Sequence, residues 1–309
     1  MPMIPSDQLQ FGPGLDVAVR CALGVGPVMR AENQDNYLLI DVDGKAAFLR
    51  DERPKRATVP GWPHGHARLA VLDGMGGHGH GREAAEAVVE GLLSMPACVT
   101  AAALALHLDA LHAQLQRQFD SATPTGLRPG TTLTMLELIP GQDALLYHVG
   151  DSRLYEIRGR HATPLTVDHV PATAHAMAAL IGEHAWRQQV YGEHQPQISQ
   201  AFILGNSLAN PALLADALFE LTPINLPPWL RQLGDRRPLA LRAGSIYLLA
   251  TDGFWSCAKP EPWVAQWPRL VARCRSAGAV ADALFAELAN NPPPGLQPDN
   301  LTAIVLRVN

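Results

Sequence analysis

One stretch, Asp73-Gly74-Met75-Gly76-Gly77-His78-Gly79-His80-Gly81, sets a carboxylate and two histidines among glycines. Residues 69–72 ahead of it form an apolar run of strand length. Ala84, Val88 and Leu92, with Ala85 and Val89, follow it at helical spacing. A strand that ends on an aspartate and opens into a bend with five glycines puts a hard oxygen ligand at a sheet edge. There, backbone carbonyls and a ligand can approach closely. Two other chemistries share these letters. Gly74 to Gly79 fits G-x-G-x-x-G, as in dinucleotide folds. However, Asp73 would set negative charge beside a pyrophosphate, and 101–119 reads as a second helix instead of a ribose-binding strand. His78-x-His80 hints at zinc, but no third ligand lies near in sequence, and loop histidines are the simpler reading.

The same pattern recurs along the chain. Asp252-Gly253 follows the apolar run 245–250, and Asp299 precedes the run 301–308. Asp151 stands at a tight corner between two strand-like runs, and Asp35 follows a polar loop that carries Arg30. Taken singly, each Asp-Gly is an ordinary turn, Asp151 a turn cap and Arg30 a solvated charge. If these strand ends converge on one edge, their carboxylates repel one another unless cations neutralise them. An all-oxygen set of that kind favours Mg2+ or Mn2+ over zinc.

The elements that must position these acids can be read in outline. Residues 1–14 are rich in Pro and Gly and read as a loose lead-in, with the folded part starting at Val17. Strands are expected at 17–23, 37–40, 69–72, 131–139, 144–149, 153–157, 245–250 and 301–308. Residues 41–66 carry mixed charge and three prolines and read as a surface excursion. The links among the strands of 131–157 are too short for crossover helices, so that sheet is antiparallel. Helices are expected at 82–93, 101–119, within 168–186, and at 261–276 and 279–290, while 191–243 has a weak pattern and many prolines. This order suits an α+β fold with two helix pairs covering two packed sheets, and one domain is more natural than two because the last strand completes a sheet begun early.

Bulk properties narrow the field. The chain has 309 residues, 47% hydrophobic and 17% charged, enough to bury a sizeable core. Its net charge of −5 gives no electrostatic case for nucleic acid or an anionic membrane. The four cysteines are scattered without CxxC spacing, as suits a reducing compartment. No basic region followed by an apolar run opens the chain, and no apolar stretch is long enough to span a bilayer, so the expected location is cytoplasmic.

Seven motifs then occur in one order: Arg30-x-x-Asn33-Gln34-Asp35, Asp73-Gly-Met-Gly-Gly-His78, Gly130-Thr-Thr132, Gly150-Asp-Ser-Arg153, Leu165-Thr-x-Asp-His169, Thr251-Asp-Gly253 and Asp299-Asn300-x-Thr302. Each is weak alone, but in this order they resemble the metal-dependent Ser/Thr protein phosphatase family (PPM, type 2C) in its bacterial style. The resemblance covers the chain from about Val17 to Val308. It implies a four-layer α-β-β-α sandwich of two mainly antiparallel sheets flanked by helix pairs, with a metal centre at one end. It also implies a lead-in at 1–16 and a single phosphatase domain at 17–309, with a variant flap and insertion at about 168–243.

By that resemblance Asp73 is the bridging ligand of two Mn2+ or Mg2+ ions, and the Gly74 carbonyl a ligand of the second. Asp252 and Asp299 are ligands of the first, and Asp35 lies behind them, holding metal-bound water. Asp151, with Asp252, resembles the site of a third, weaker metal, and Arg30 the phosphate clamp. The implied reaction is direct attack of a metal-bridging hydroxide on phosphoserine or phosphothreonine of a protein substrate that a Ser/Thr kinase has phosphorylated. The alternative is a non-catalytic signalling or binding module that kept the fold.

The sequence departs from the family pattern in three places. Many relatives carry His, a proposed general acid, where this chain has Met75, as bacterial relatives do. His78 and His80 are the remaining candidate proton donors. Gln34 is neutral where some relatives carry Glu. The segment Ser199-Gln-Ala-Phe-Ile-Leu-Gly205 lacks the expected arginine, and the stretch 206–242 after it is longer than usual and carries five prolines.

Overall fold

The structure, a computed structural model, describes residues 9–25, 29–76, 80–122, 128–193 and 197–309. Strands β1 (Leu15–Ala22), β2 (Asp35–Ile40), β3 (Lys45–Arg50), β4 (Arg53–Thr58) and β5 (Ala67–Met75) precede helices α1 (Gly81–Ser94) and α2 (Ala101–Ala122). Next come β6 (Gly130–Thr131), β7 (Leu133–Leu138), β8 (Ala144–Val149), β9 (Arg153–Arg158) and β10 (His161–Pro164), then α3 (Pro171–Met177) and α4 (Glu183–Arg187). Short strands β11 (Gln200–Ala201), β12 (Gly205–Asn206) and β13 (Arg236–Leu239) lead to β14 (Ile246–Ala250). The chain ends with α5 (Pro260–Val264), α6 (Trp267–Val271), α7 (Ala277–Asn290) and β15 (Leu301–Val308).

One sheet runs β1-β15-β14-β9-β10, and the other runs β13-β8-β7-β5-β2-β3-β4, with β6 on the end of β5. The pairings along both sheets are antiparallel. The central strands are apolar on both faces because both faces are covered. Tyr37, Leu39, Leu69 and Val71 of one sheet meet Tyr247, Leu249, Ile304 and Leu306 of the other in a core between the sheets. The alternate residues, Leu38, Ala70 and Leu72, pack outward on Ala84, Val88 and Leu92 of α1 and Leu104 and Leu108 of α2. On the other side Leu248, Ala303 and Val305 pack on Trp263, Trp267, Val280 and Leu284 of α5–α7. The order is therefore α-β-β-α, as expected.

Several local readings are corrected. The 41–66 stretch contains the β3–β4 hairpin; its charged residues hid it because every residue of β4 is exposed. The lead-in is not loose throughout. Phe11 is buried in the core between the sheets, and Val42 N donates to Gln10 O at 2.9 Å. The helix expected at 261–276 is split into α5 and α6, because Pro268 has no N–H to continue the first segment. The helical character of 168–186 resolves into the short α3 and α4. Residues of 167–230, among them Val167, Val170, Trp186, Leu221, Leu226 and Leu230, form an apolar cluster of their own. Arg153 fastens it to β9: its guanidinium pairs with Asp168 at 2.7 Å, donates to Val190 O at 2.8 Å and lies over the rings of Tyr191 and Trp255.

Arg68 sets the placement of α1 against β5. It is fully buried and pairs with the equally buried Glu137 at 2.7 Å. The same guanidinium donates to the carbonyls of Leu92, Met95 and Pro96, which end α1. Removing one partner of such a pair leaves an uncompensated buried charge. Arg68→Ala is therefore expected to lower the unfolding free energy by about 3–5 kcal/mol in urea titrations. A loss under about 1 kcal/mol, the scale of a surface pair, would contradict this reading.

Candidate active site

The site is built where the ends of both sheets meet. Asp35 of β2 stands directly opposite Asp73 of β5 in the strand register. Asp73 N donates to Thr132 Oγ1 at 2.9 Å, and Thr132 N returns a bond to Asp73 O at 2.9 Å. The turn that follows closes backbone on backbone: a Cβ on Gly74 would collide with the carbonyl oxygens of Gly81 and Gln34. In the other sheet Asp252 follows β14, and Ser256 Oγ donates to its Oδ2 at 3.2 Å. Asp299 precedes β15, and Asn300 N donates to its Oδ1 at 3.0 Å.

Two neutral side chains tie the sheets together at this end. Thr251 Oγ1 donates to Asp35 Oδ2 at 2.8 Å and accepts from Thr302 N at 3.0 Å. Asn300 Oδ1 accepts from Gln34 N at 2.9 Å, and its amide donates to the carbonyls of Leu23 and Glu32. Thr132, Ser152, Thr251 and Asn300 stand inside the sequence motifs, where nothing in their type alone assigns them a role. Their signal was adjacency, since each stands next to an acid or opposes one.

Arg30, Asp73, Gly74, Asp151, Asp252 and Asp299 line one cleft of about 680 Å3. A larger cavity, about 1030 Å3, lies by Phe11, Leu15 and Ile139 at the end where β5 begins, and gathers no set of carboxylates. Burial first, and then the neighbouring carboxylates, push Asp73 and Asp151 well above the usual carboxylate range. Burial and Asp252 raise Asp299 to about 6. Burial raises Asp35 to about 8 although the hydroxyls of Thr251 and Thr302 oppose it. Asp73, Asp151, Asp252 and Asp299 thus share one cleft, and Asp35 stands opposite Asp73 without lining it. They are not drawn into a closed cage: among the described residues, no three His, Cys, Asp or Glu groups form a ready-made ion site. The donor chemistry, oxygen only and repelling when charged, suits hard divalent cations.

Arg30 lines the cleft with its guanidinium engaged. Its guanidinium reaches Asp299 Oδ1 at 3.0 Å and donates through Nε to Pro298 O at 2.9 Å. His80 is exposed at the N-terminus of α1, where its carbonyl accepts from Ala84 N at 3.1 Å, and it does not line the cleft. His78 lies outside the described residues.

No protein-family model and no curated protein matches the chain. Solved structures do. The serine/threonine phosphatase of S. agalactiae superposes with a TM-score of 0.65 at 18% identity, covering 96% of this chain and 100% of that one. PstP/Ppp of Mycobacterium tuberculosis gives 0.60 at 23%, covering 96% and 99%. The catalytic domain of PstP in complex with two manganese ions gives 0.57 at 22%, covering 95% and 97%. The chain therefore has the fold of the PPM-type Ser/Thr phosphatases.

The raised carboxylates have a thermodynamic consequence. Asp35 holds its proton up to about pH 8 in the folded chain, against an ordinary value of 3.8. Its contribution to stability is complete below about pH 4 and is lost as pH rises through about 8. Asp73, Asp151 and Asp299 act in the same direction. In EDTA the melting temperature is expected to fall across this window, and Asp35→Asn to flatten the fall. An identical slope in the variant would remove Asp35 as a source.

Proposed function

We propose that this chain is a Mn2+/Mg2+-dependent phosphatase acting on phosphoserine and phosphothreonine in proteins, opposing a Ser/Thr kinase in signalling. The observation that carries the reading is the meeting of Asp73, Asp151, Asp252 and Asp299 with Arg30 in one cleft, at the strand ends of a PPM-type sandwich. The two manganese ions of the PstP complex support the choice of metal. In this reading residues 17–309 act as one phosphatase domain, with 168–243 as its variant flap and insertion.

Asp73 would bridge two cations, with the Gly74 carbonyl on the second and Asp252 and Asp299 on the first. Asp35 would orient water from behind, and Asp151 with Asp252 would hold a weaker third ion. When bound, such a pair supplies a water activated for attack at neutral pH and positive charge for the phosphoryl oxygens. Arg30, turned from Asp299, would hold the phosphate dianion through two parallel hydrogen bonds, which its planar fork allows and a lysine does not. Met75 has no proton to give, so the leaving oxygen would take its proton from water or from another group. Cys21, Cys98 and Cys257 need no part in catalysis: all three are buried, and burial pushes their thiols upward, Cys21 to about 12.

The test is hydrolysis of a phosphothreonine peptide with Mn2+ and with EDTA. Turnover in Mn2+ that EDTA abolishes is expected. No turnover with any metal, together with retained phosphopeptide binding, would favour a non-catalytic binding module. Arg30→Ala should lower kcat/KM about 100-fold without weakening Mn2+ binding measured by calorimetry. Arg30→Lys should recover only part of the loss. Wild-type kinetics in Arg30→Ala would end its role as the clamp. His80→Ala should keep most activity on p-nitrophenyl phosphate, whose leaving group needs little acid assistance; a collapse of turnover with folding intact would make His80 a proton donor.

A further inference from the structure

The corner that carries Asp151 is gripped from both sides. Gly150 has φ +108°, and a Cβ there would come within 2.6 Å of Thr132 Cγ2, so only glycine fits. On one flank Ser152 Oγ lies 2.6 Å from Thr132 Oγ1, and Thr134 Oγ1 donates to Ser152 O at 2.9 Å. On the other flank His169 takes Gly150 at two points. Its N–H donates to Gly150 O at 2.8 Å, and its Nδ1 accepts from Gly150 N at 3.0 Å.

A backbone N–H can only donate, so Nδ1 of His169 is the bare nitrogen and Nε2 carries the proton. Nε2 lies 3.3 Å from Asp235 Oδ2, close enough for charge attraction but not aligned as a hydrogen bond, and the two side chains are 0% and 1% exposed. Asp235 is in turn fixed by its neighbours. Leu221 N donates to its Oδ2 at 3.0 Å, its own N–H donates to Leu221 O at 3.1 Å, and His148 N donates to its carbonyl at 2.9 Å. Burial keeps the imidazole neutral, pushing His169 down to about 3. Gly150 N–H and the Gln200 amide, 3.3 Å away, both face Nδ1, so they too favour the proton on Nε2. A proton on Nδ1 would set donor against donor at Gly150 N.

We propose that His169 and Asp235 are positioning residues: His169 clamps the Gly150-Asp151 corner, and the carboxylate of Asp235 beside Nε2 adds to the preference for the tautomer that does so. The long 206–242 segment then supplies one support of the acidic site through Asp235, and is more than a recognition loop. The inference rests on the reading of Asp151 as a metal ligand.

Two isosteric changes separate the roles of the ring nitrogens. Asn at 169 places its Oδ1 where Nδ1 was and keeps an acceptor for Gly150. Gln places its amide nitrogen where Nε2 was and offers Gly150 none. In the full chain, His169→Gln and Asp235→Leu should speed hydrogen–deuterium exchange of the 150–152 amides and weaken Mn2+ binding by calorimetry, each about tenfold. His169→Asn should stay near wild type in both, and near-UV circular dichroism should be unchanged in all three. Unchanged exchange in His169→Gln and Asp235→Leu, or equal losses in His169→Asn, would overturn the clamp. If wild type neither binds Mn2+ nor hydrolyses phosphopeptide, the ligand reading of Asp151 fails, and the exchange results alone support or overturn the clamp.

Discussion

Holding several carboxylates together at one buried end of two sheets is the constraint on which the rest of this structure depends. Each loses hydration, and each repels the others, so Asp35, Asp73, Asp151 and Asp299 all favour the neutral form. The buried Arg153 relieves Asp151 only in part, being paired with Asp168. Arg30 approaches only from the solvent side, with about half of its side chain exposed. Such a cluster persists only when the surrounding structure fixes it more firmly than the repulsion can loosen it.

That firmness comes from neutral groups and from close backbone contact. Thr251 and Asn300 join the sheets, Thr132 joins Asp73 to the Asp151 corner through Ser152, and Gly74 and Gly253 let neighbouring backbones meet where a side chain would collide. Charged contacts lie further out and are fully paired: Arg68 with Glu137, Arg153 with Asp168. Hydroxyls and amides can hold a carboxylate without cancelling its charge, which leaves the charge available to a ligand. A salt bridge in the same place would compete with the ligand, as the Arg30–Asp299 contact at the rim does.

The fold was legible wherever a residue pattern had a single physical cause. Strands buried on both faces read as apolar runs, so β2, β5, β14 and β15 were expected close to their bounds, as were α1, α2 and α7. Patterns failed where the driving force was not apolar burial. β4 is exposed along its length and looked like a charged loop, and Phe11 was lost among the prolines and glycines around it. In the site the acids stood out because they lie near strand ends, and the resemblance of the seven ordered motifs joined them into one set. The His169–Asp235 contact did not stand out, since its partners lie 66 positions apart and one belongs to a segment with little periodicity. The orientation of Arg30 was equally out of reach, because sequence places a residue near a site but does not choose between two anions for it.

The β3–β4 hairpin bears on a different property. β4 closes the larger sheet, so its outer backbone groups form an open edge of the kind along which chains stack. It carries Arg53, Pro54, Lys55 and Arg56 in succession, all exposed. Proline offers no N–H to an incoming strand, and two copies brought edge to edge in antiparallel fashion would oppose cation to cation. The charge that concealed this strand in the sequence thus acts against its extension from one molecule into the next, and makes the end of the sheet a poor template for fibres.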